Sequence, residues 1–147
     1  MTIDLKYDTK KGFLQITITG QLIPDELNSL FSQIKESNEY PVDTDALWDL
    51  RGTDFQATDE ELFQRIIAIR KRYPERSNMK AAFITANDLS YGMTRMYEIL
   101  SGFEIERTIK VFRDYVEGEQ WLLKNRPSQL QYSLEEREGN HSPDKAV

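Results

Sequence analysis

Short apolar strand-like runs and amphipathic helix-like stretches take turns along most of this chain, and few folds can accommodate that order. Ile3, Leu5 and Tyr7 alternate with polar residues. Lys10-Lys11-Gly12 then makes a turn, and Leu14, Ile16 and Ile18 resume the two-residue period through Gly20, which is the pattern of a β-hairpin. Pro24 suits the first turn of a helix, and Leu27, Leu30, Phe31 and Ile34 share one helical face between Pro24 and Ser37. Asp45 to Leu50 reads as a buried strand that ends in a turn at Arg51-Gly52. Thr58 and Glu61 match a capping box for a second helix, which carries Leu62, Ile66, Ile69 and Tyr73 and stops before Pro74 and Ser77-Asn78.

Lys80 to Ala86 reads as another buried strand, and Asn87 or Asp88 can cap a third helix from Leu89 to Ser101, with Gly102 ending it. Ile105, Arg107, Ile109 and Val111 then alternate into a further strand. Asp114 and Glu117 cap a fourth helix that carries Val116, Trp121 and Leu122. A hairpin followed by such crossovers predicts an α/β fold whose mixed sheet begins antiparallel and continues parallel, because each crossover helix returns the chain in the same direction. Residues 1–126 are read as this α/β domain. Residues 127–147, rich in Ser, Gln, Glu and Asn and without a sustained apolar period, are read as a flexible polar tail.

The 147 residues suit one hydrophobic core, and 39% hydrophobic content is enough to build it. No apolar run reaches the roughly 18 residues of a membrane span, and the N-terminus lacks the basic-then-apolar pattern of a secretion signal. Cysteine is absent, which removes disulfides and thiolate chemistry and fits a cytoplasmic protein of bacterial type. A net charge of −6 argues against nucleic acid as a partner unless basic residues gather on one face. The best candidates, Arg65, Arg70, Lys71, Arg72 and Arg76, follow Asp59, Glu60 and Glu61 on one helix. That distribution matches the helix dipole of a solvated helix.

The only histidine, His141, lies in the predicted tail, so imidazole is not expected in a preorganised site. The nucleophile elbow, the P-loop and the dinucleotide-binding glycine motif are all missing, and the chain is expected to be a binding protein without cofactor or catalytic residues. Asp43 with Asp45, or Asp49 with Asp54, could hold Mg²⁺ or act as acid and base, but such pairs flanking a strand usually serve as caps and turn residues. Ligands of open α/β sheets favour the carboxyl ends of parallel strands. The residues expected there or on the adjoining helix are Arg51, Asp88, Tyr91, Arg95 and Arg113, which could together hold an anionic head group or a partner. Local ion pairs of Arg51 and Arg113 with Asp49, Asp88 or Asp114 are the simpler alternative. Leu89, Met93, Met96, Tyr97 and Leu100 form the expected apolar face of the third helix.

Asp49-Leu50-Arg51-Gly52, Ala82-Phe83-Ile84 with Asp88 to Tyr97, and Val111-Phe112-Arg113-Asp114 leading to Trp121-Leu122 resemble the SpoIIAA-like family of STAS-related domains over about Ile3 to Lys124. The resemblance implies a fold similar to anti-sigma-factor antagonists and to CRAL-TRIO lipid carriers, with no catalytic residues. STAS regulators carry a phosphorylatable Ser in an Asp-Ser-Ser-Gly-Leu type motif. Here that place reads Ala57-Thr58-Asp59-Glu60-Glu61-Leu62, and the acidic run would repel a phosphate, so Thr58 is read as a cap. Two functions stay open. One is a regulatory module that binds a protein partner through the second and third helices, with a homodimer among the options. The other is a small carrier of an apolar, acid-headed ligand.

Overall fold

The computed structural model describes residues 1–76, 79–102 and 108–124. The predicted tail 127–147 with His141, the Ser77-Asn78 pair, and Ile105 and Arg107 lie outside the described residues.

Strands β1 (Thr2–Asp8) and β2 (Phe13–Gln21) form the expected antiparallel hairpin. Its turn closes where Gly12, at φ 73°, donates its N–H to the Asp8 carbonyl at 2.7 Å. Glycine takes that left-handed backbone without the clash that a Cβ would bring. Helix α1 (Pro24–Glu36) begins with proline, which lacks one of the N–H groups that a helix start leaves unpaired. It buries Leu27, Leu30, Phe31 and Ile34, a face worth about 1.5–3 kcal/mol per side chain.

Strand β3 (Ala46–Asp54), helix α2 (Glu60–Arg70) and strand β4 (Lys80–Ile84) follow, with one 3₁₀ turn at Pro74–Arg76. Helix α3 (Asp88–Gly102), strand β5 (Thr108–Phe112) and helix α4 (Tyr115–Lys124) complete the order. The sheet runs β1-β2-β3-β4-β5, with β2 to β5 parallel. Strand order advances one place at each crossover and crossovers share one hand, so α1, α2 and α3 all land on the same face. Leu14, Ile16, Trp48 and Phe83 meet them there in the main core. Helix α4 covers the other face with a smaller core of Phe13, Leu47, Ala82, Ile84, Phe112 and Leu122. Gly118 lets it sit close, because a Cβ at that position would collide with Ile84 and lie 3.3 Å from the Phe112 ring.

Four local expectations are corrected. Asp59, not Thr58, caps α2: its carboxylate accepts the Leu62 N–H at 2.8 Å, while the Thr58 hydroxyl is buried and has no partner. One residue of register separates the two, and the carboxylate is the acceptor that reaches the first turn. Strand β3 does not end at Leu50. It continues to Asp54, with one extra residue against β2 between Asp49 and Gly52, a bulge that turns the expected Arg51-Gly52 turn into strand. The basic run on α2 is not uniformly solvated. Arg65, Lys71 and Arg72 are exposed, but Arg70 and Arg76 are buried.

Finally, α3 turns a hydroxyl stripe inward. Ser90, Thr94, Tyr97 and Ser101 are its buried residues, whereas Leu89 and Ile99 are exposed and Met93, Met96 and Leu100 pack only at the margin of the core. Spaced at i, i+4, i+7 and i+11, these four define one face, and three of them are short enough for close approach to the sheet. The predicted start of α3 agrees with the structure: Asn87 Oδ1 accepts the Ser90 N–H at 2.9 Å, and Ser90 Oγ accepts the Asn87 N–H at 3.1 Å.

Candidate functional site

Three of the five residues predicted to gather at one edge do meet. Arg113, just after β5, donates from Nη1 to Asp88 Oδ1 at 2.6 Å, and its guanidinium lies 4.3 Å over the Tyr91 ring. The pair is solvated, with Asp88 93% exposed, so its net value is about 0–1 kcal/mol. Arg95 instead pairs with Glu98 on its own helix at 2.7 Å. Arg51 lies towards the α4 side of the sheet, where Nε and Nη2 grip both Asp49 oxygens at 2.9 and 2.8 Å and the guanidinium stands 5.3 Å from the centre of the Tyr115 ring. Hydrogen bonding from Arg51 holds the Asp49 carboxyl below the usual carboxylate range, and the Arg51 guanidinium is raised in return. The open-sheet rule places ligands where strand order reverses, and this sheet has no reversal. Its strand ends therefore have no crevice of that kind to share.

Three of the four carboxylates in the candidate pairs are committed to hydrogen bonds within the chain. Asp45 accepts the Lys80 N–H at 2.8 Å, Asp54 accepts the Gln56 N–H at 3.0 Å, and Asp49 holds Arg51. Among the described residues, no group of three His, Cys, Asp or Glu side chains is placed to hold a metal ion. No described helix is long and apolar enough to cross a membrane.

The more unusual chemistry lies on the three-helix face, at residues the sequence reading did not select. A cavity of about 50 Å³ sits between the sheet and α1, α2 and α3, walled by apolar side chains that include Leu27, Leu50, Phe55 and Phe63. Leu22, between β2 and α1, is the one wall residue that is not fully buried, which puts the way out there. Four polar side chains also line this cavity: Trp48, Arg70, Thr94 and Tyr97, exposed by only 3%, 6%, 2% and 6%. Trp48 Nε1, Arg70 Nη2, Thr94 Oγ1 and Tyr97 Oη are all buried without a hydrogen-bond partner.

Local folding explains how a guanidinium came inside. Phe63, Ile66, Ile67 and Arg70 occupy one arc of α2, so the helix that buries three apolar residues carries the fourth with them. Aromatic faces receive it, with the guanidinium carbon 4.7 Å from the Phe31 ring centre and 5.7 Å from that of Trp48. Such contacts contribute about 0.5–2 kcal/mol each, against a desolvation cost of several kcal/mol for a buried ion. No carboxylate among the described residues makes up the difference. Burial accordingly lowers the Arg70 pKa. Burial also raises the Tyr97 hydroxyl, and the Arg70 guanidinium beside it moderates the shift through its charge and its close approach to the hydroxyl oxygen, although the pair falls short of full hydrogen-bond geometry.

Arg76 lies nearby but is not a wall of the cavity. Its Nη1 donates to the Val42 carbonyl at 2.8 Å, and burial, aided by repulsion from Arg70, pushes its pKa down to about 10. The α3 hydroxyls also divide: Ser90 and Ser101 satisfy themselves on the Asn87 and Glu98 carbonyls, whereas Thr94 and Tyr97 do not. Sequence signals for the site existed, namely an arginine on the apolar arc of α2 and a hydroxyl stripe at helical spacing on α3.

No family model matches the sequence. No curated protein matches it either. Among solved structures, the chain is similar to an uncharacterised protein of the DUF3478 family with a SpoIIAA-like fold from Shewanella loihica PV-4, at 16% identity and a TM-score of 0.56. The match covers 82% of this chain and 92% of that one. The likeness is one of fold, and it agrees with the α/β, SpoIIAA-like architecture expected from the sequence.

Proposed function

We propose that this chain is a non-catalytic binding module of SpoIIAA-like fold that holds a small, largely apolar molecule in the cavity beneath α1, α2 and α3. One observation carries the reading: a cavity with an almost wholly apolar surface sits at the centre of the main core, where only Leu22 among its walls is not fully buried. Such a space suits an apolar molecule. At about 50 Å³ the space exceeds the roughly 10–15 Å³ that one water needs, so several water-sized groups fit. This favours the carrier alternative over a site made of Arg51, Arg95 and Arg113, which hold separate partners.

Native mass spectrometry of freshly purified protein tests it, with a retained small-molecule mass as the expected result. Leu22→Trp, which narrows the way out, should reduce that retained fraction. Protein that carries no added mass, and whose Trp48 indole resonance no small organic molecule perturbs, would rule the reading out. A second reading, a regulatory module that docks on a protein, is favoured by Leu89 and Ile99, which stand 50% and 54% exposed on α3. Leu89→Glu with Ile99→Glu would then abolish association in light scattering and leave the cavity's ligand in place.

A further inference from the structure

Among the described residues both edges of the sheet are open, since β1 pairs only with β2 and β5 only with β4. Each edge strand therefore directs every second backbone N–H and C=O away from the sheet, where another strand could take them up. The two edges differ in what they present. The midpoint of β5 is Lys110, which is exposed, so two β5 strands paired about it would set lysine against lysine. Strand β1 has no such guard. It is seven residues long, holds no proline, runs against β2 without a bulge and has Leu5 at its midpoint.

Its side chains are self-complementary about that midpoint. In an antiparallel pairing of two β1 strands centred on Leu5, Asp4 faces the partner's Lys6 and Lys6 the partner's Asp4 on one face, while Ile3 faces the partner's Tyr7 on the other. A shift of two residues opposes Asp4 to Asp4 or Lys6 to Lys6, and a slip of one sets Asp4 against the partner's Leu5. One register is therefore favoured over its neighbours. Within the chain Asp4 and Lys6 stand 3.7 Å apart with side chains 61% and 69% exposed, which leaves both open to a second pairing. Ile3, Leu5 and Tyr7 are half-buried, and a hollow of about 410 Å³ beside Leu5 and Tyr7 opens towards Glu36 of α1 and Tyr40. The apolar row is unfinished at this edge, and a second copy would extend it.

We infer that two copies of this chain join edge to edge through β1, in antiparallel register centred on Leu5, so that their five-stranded sheets become one in a two-fold dimer. Sedimentation equilibrium of the full chain at low salt, from micromolar to millimolar concentration, tests this, and circular dichroism checks that each variant folds. The native chain should show a monomer–dimer equilibrium. Asp4→Lys should weaken it by about tenfold or more, because two cross-strand pairs swing from attraction to repulsion, and Asp4→Lys with Lys6→Asp should restore it. Lys110→Glu, at the other edge, should leave it unchanged. A native chain that stays monomeric at millimolar concentration would overturn the inference and leave the β1 edge to a different occupant. A dimer that Asp4→Lys leaves intact, that the double variant fails to restore, or that Lys110→Glu dissolves would place the contact elsewhere and overturn it as well.

Discussion

On the α4 side of the sheet, Asp49 is tied to Arg51, Gln15 to Tyr115 and Lys11 to Glu119, whereas on the three-helix side Trp48, Arg70, Thr94 and Tyr97 each keep a polar atom with no partner. The first set lies near water, where pairs are individually weak and breaking one changes little. The second lies in the main core, where an unpaired polar atom costs about 1–3 kcal/mol and a buried charge costs more. Among the described residues, the main core therefore carries a cost of unpaired polar atoms that the three pairs on the α4 side do not.

The contrast can be broken most forcefully by cutting into each core. Phe63→Ala removes a fully buried ring that stacks 5.4 Å from Tyr97 and should cost about 3–5 kcal/mol in urea denaturation. Leu122→Ala, beneath α4, should fall at the lower end of about 2–5 kcal/mol, since it serves the smaller core. A larger loss for Leu122 would make the α4 side the keystone and reverse the comparison.

Next in size is Arg70→Met. It removes a desolvated cation while filling much of the same volume, and the lost aromatic contacts only partly offset that gain. Stability of ligand-free protein should rise by about 1–2 kcal/mol. A fall of similar size in a denaturant titration would show that Arg70 is a structural tie.

Asp59→Ala should lower stability by about 1 kcal/mol through loss of the α2 cap, whereas Thr58→Val, which replaces an unpartnered hydroxyl by a methyl, should cost nothing measurable by thermal melting. The opposite ranking would restore Thr58 as the cap.

The smallest expected effect belongs to the exposed pair. Arg51 holds the Asp49 carboxyl below its usual range, so the stability from this pair is complete above the ordinary carboxylate value and is lost as pH falls through the lowered one. Asp49→Asn should flatten that acid limb by less than about 1 kcal/mol, measured as stability against pH. An unchanged acid limb would mean that the pair contributes nothing.

Much of the fold was legible before any coordinates. The hairpin at Gly12, the α1 face of Leu27, Leu30, Phe31 and Ile34, the caps at Asn87 and Asp114, and the mixed sheet all follow from local rules and appear in the structure. Periods of 2 and 3.6 residues are set by covalent geometry, and capping needs only a few neighbouring residues, so a sequence carries these features by itself. Tertiary packing decided the rest. It chose Asp59 over Thr58, carried β3 past Arg51, and turned the Ser90, Thr94, Tyr97 and Ser101 stripe of α3 inward. The candidate site belongs wholly to this second class. Phe31, Trp48, Arg70 and Tyr97 come from α1, β3, α2 and α3, and whether a polar atom among them finds a partner depends on which distant segments close around it. No local period encodes that closure, because burial is a property of the assembled layers.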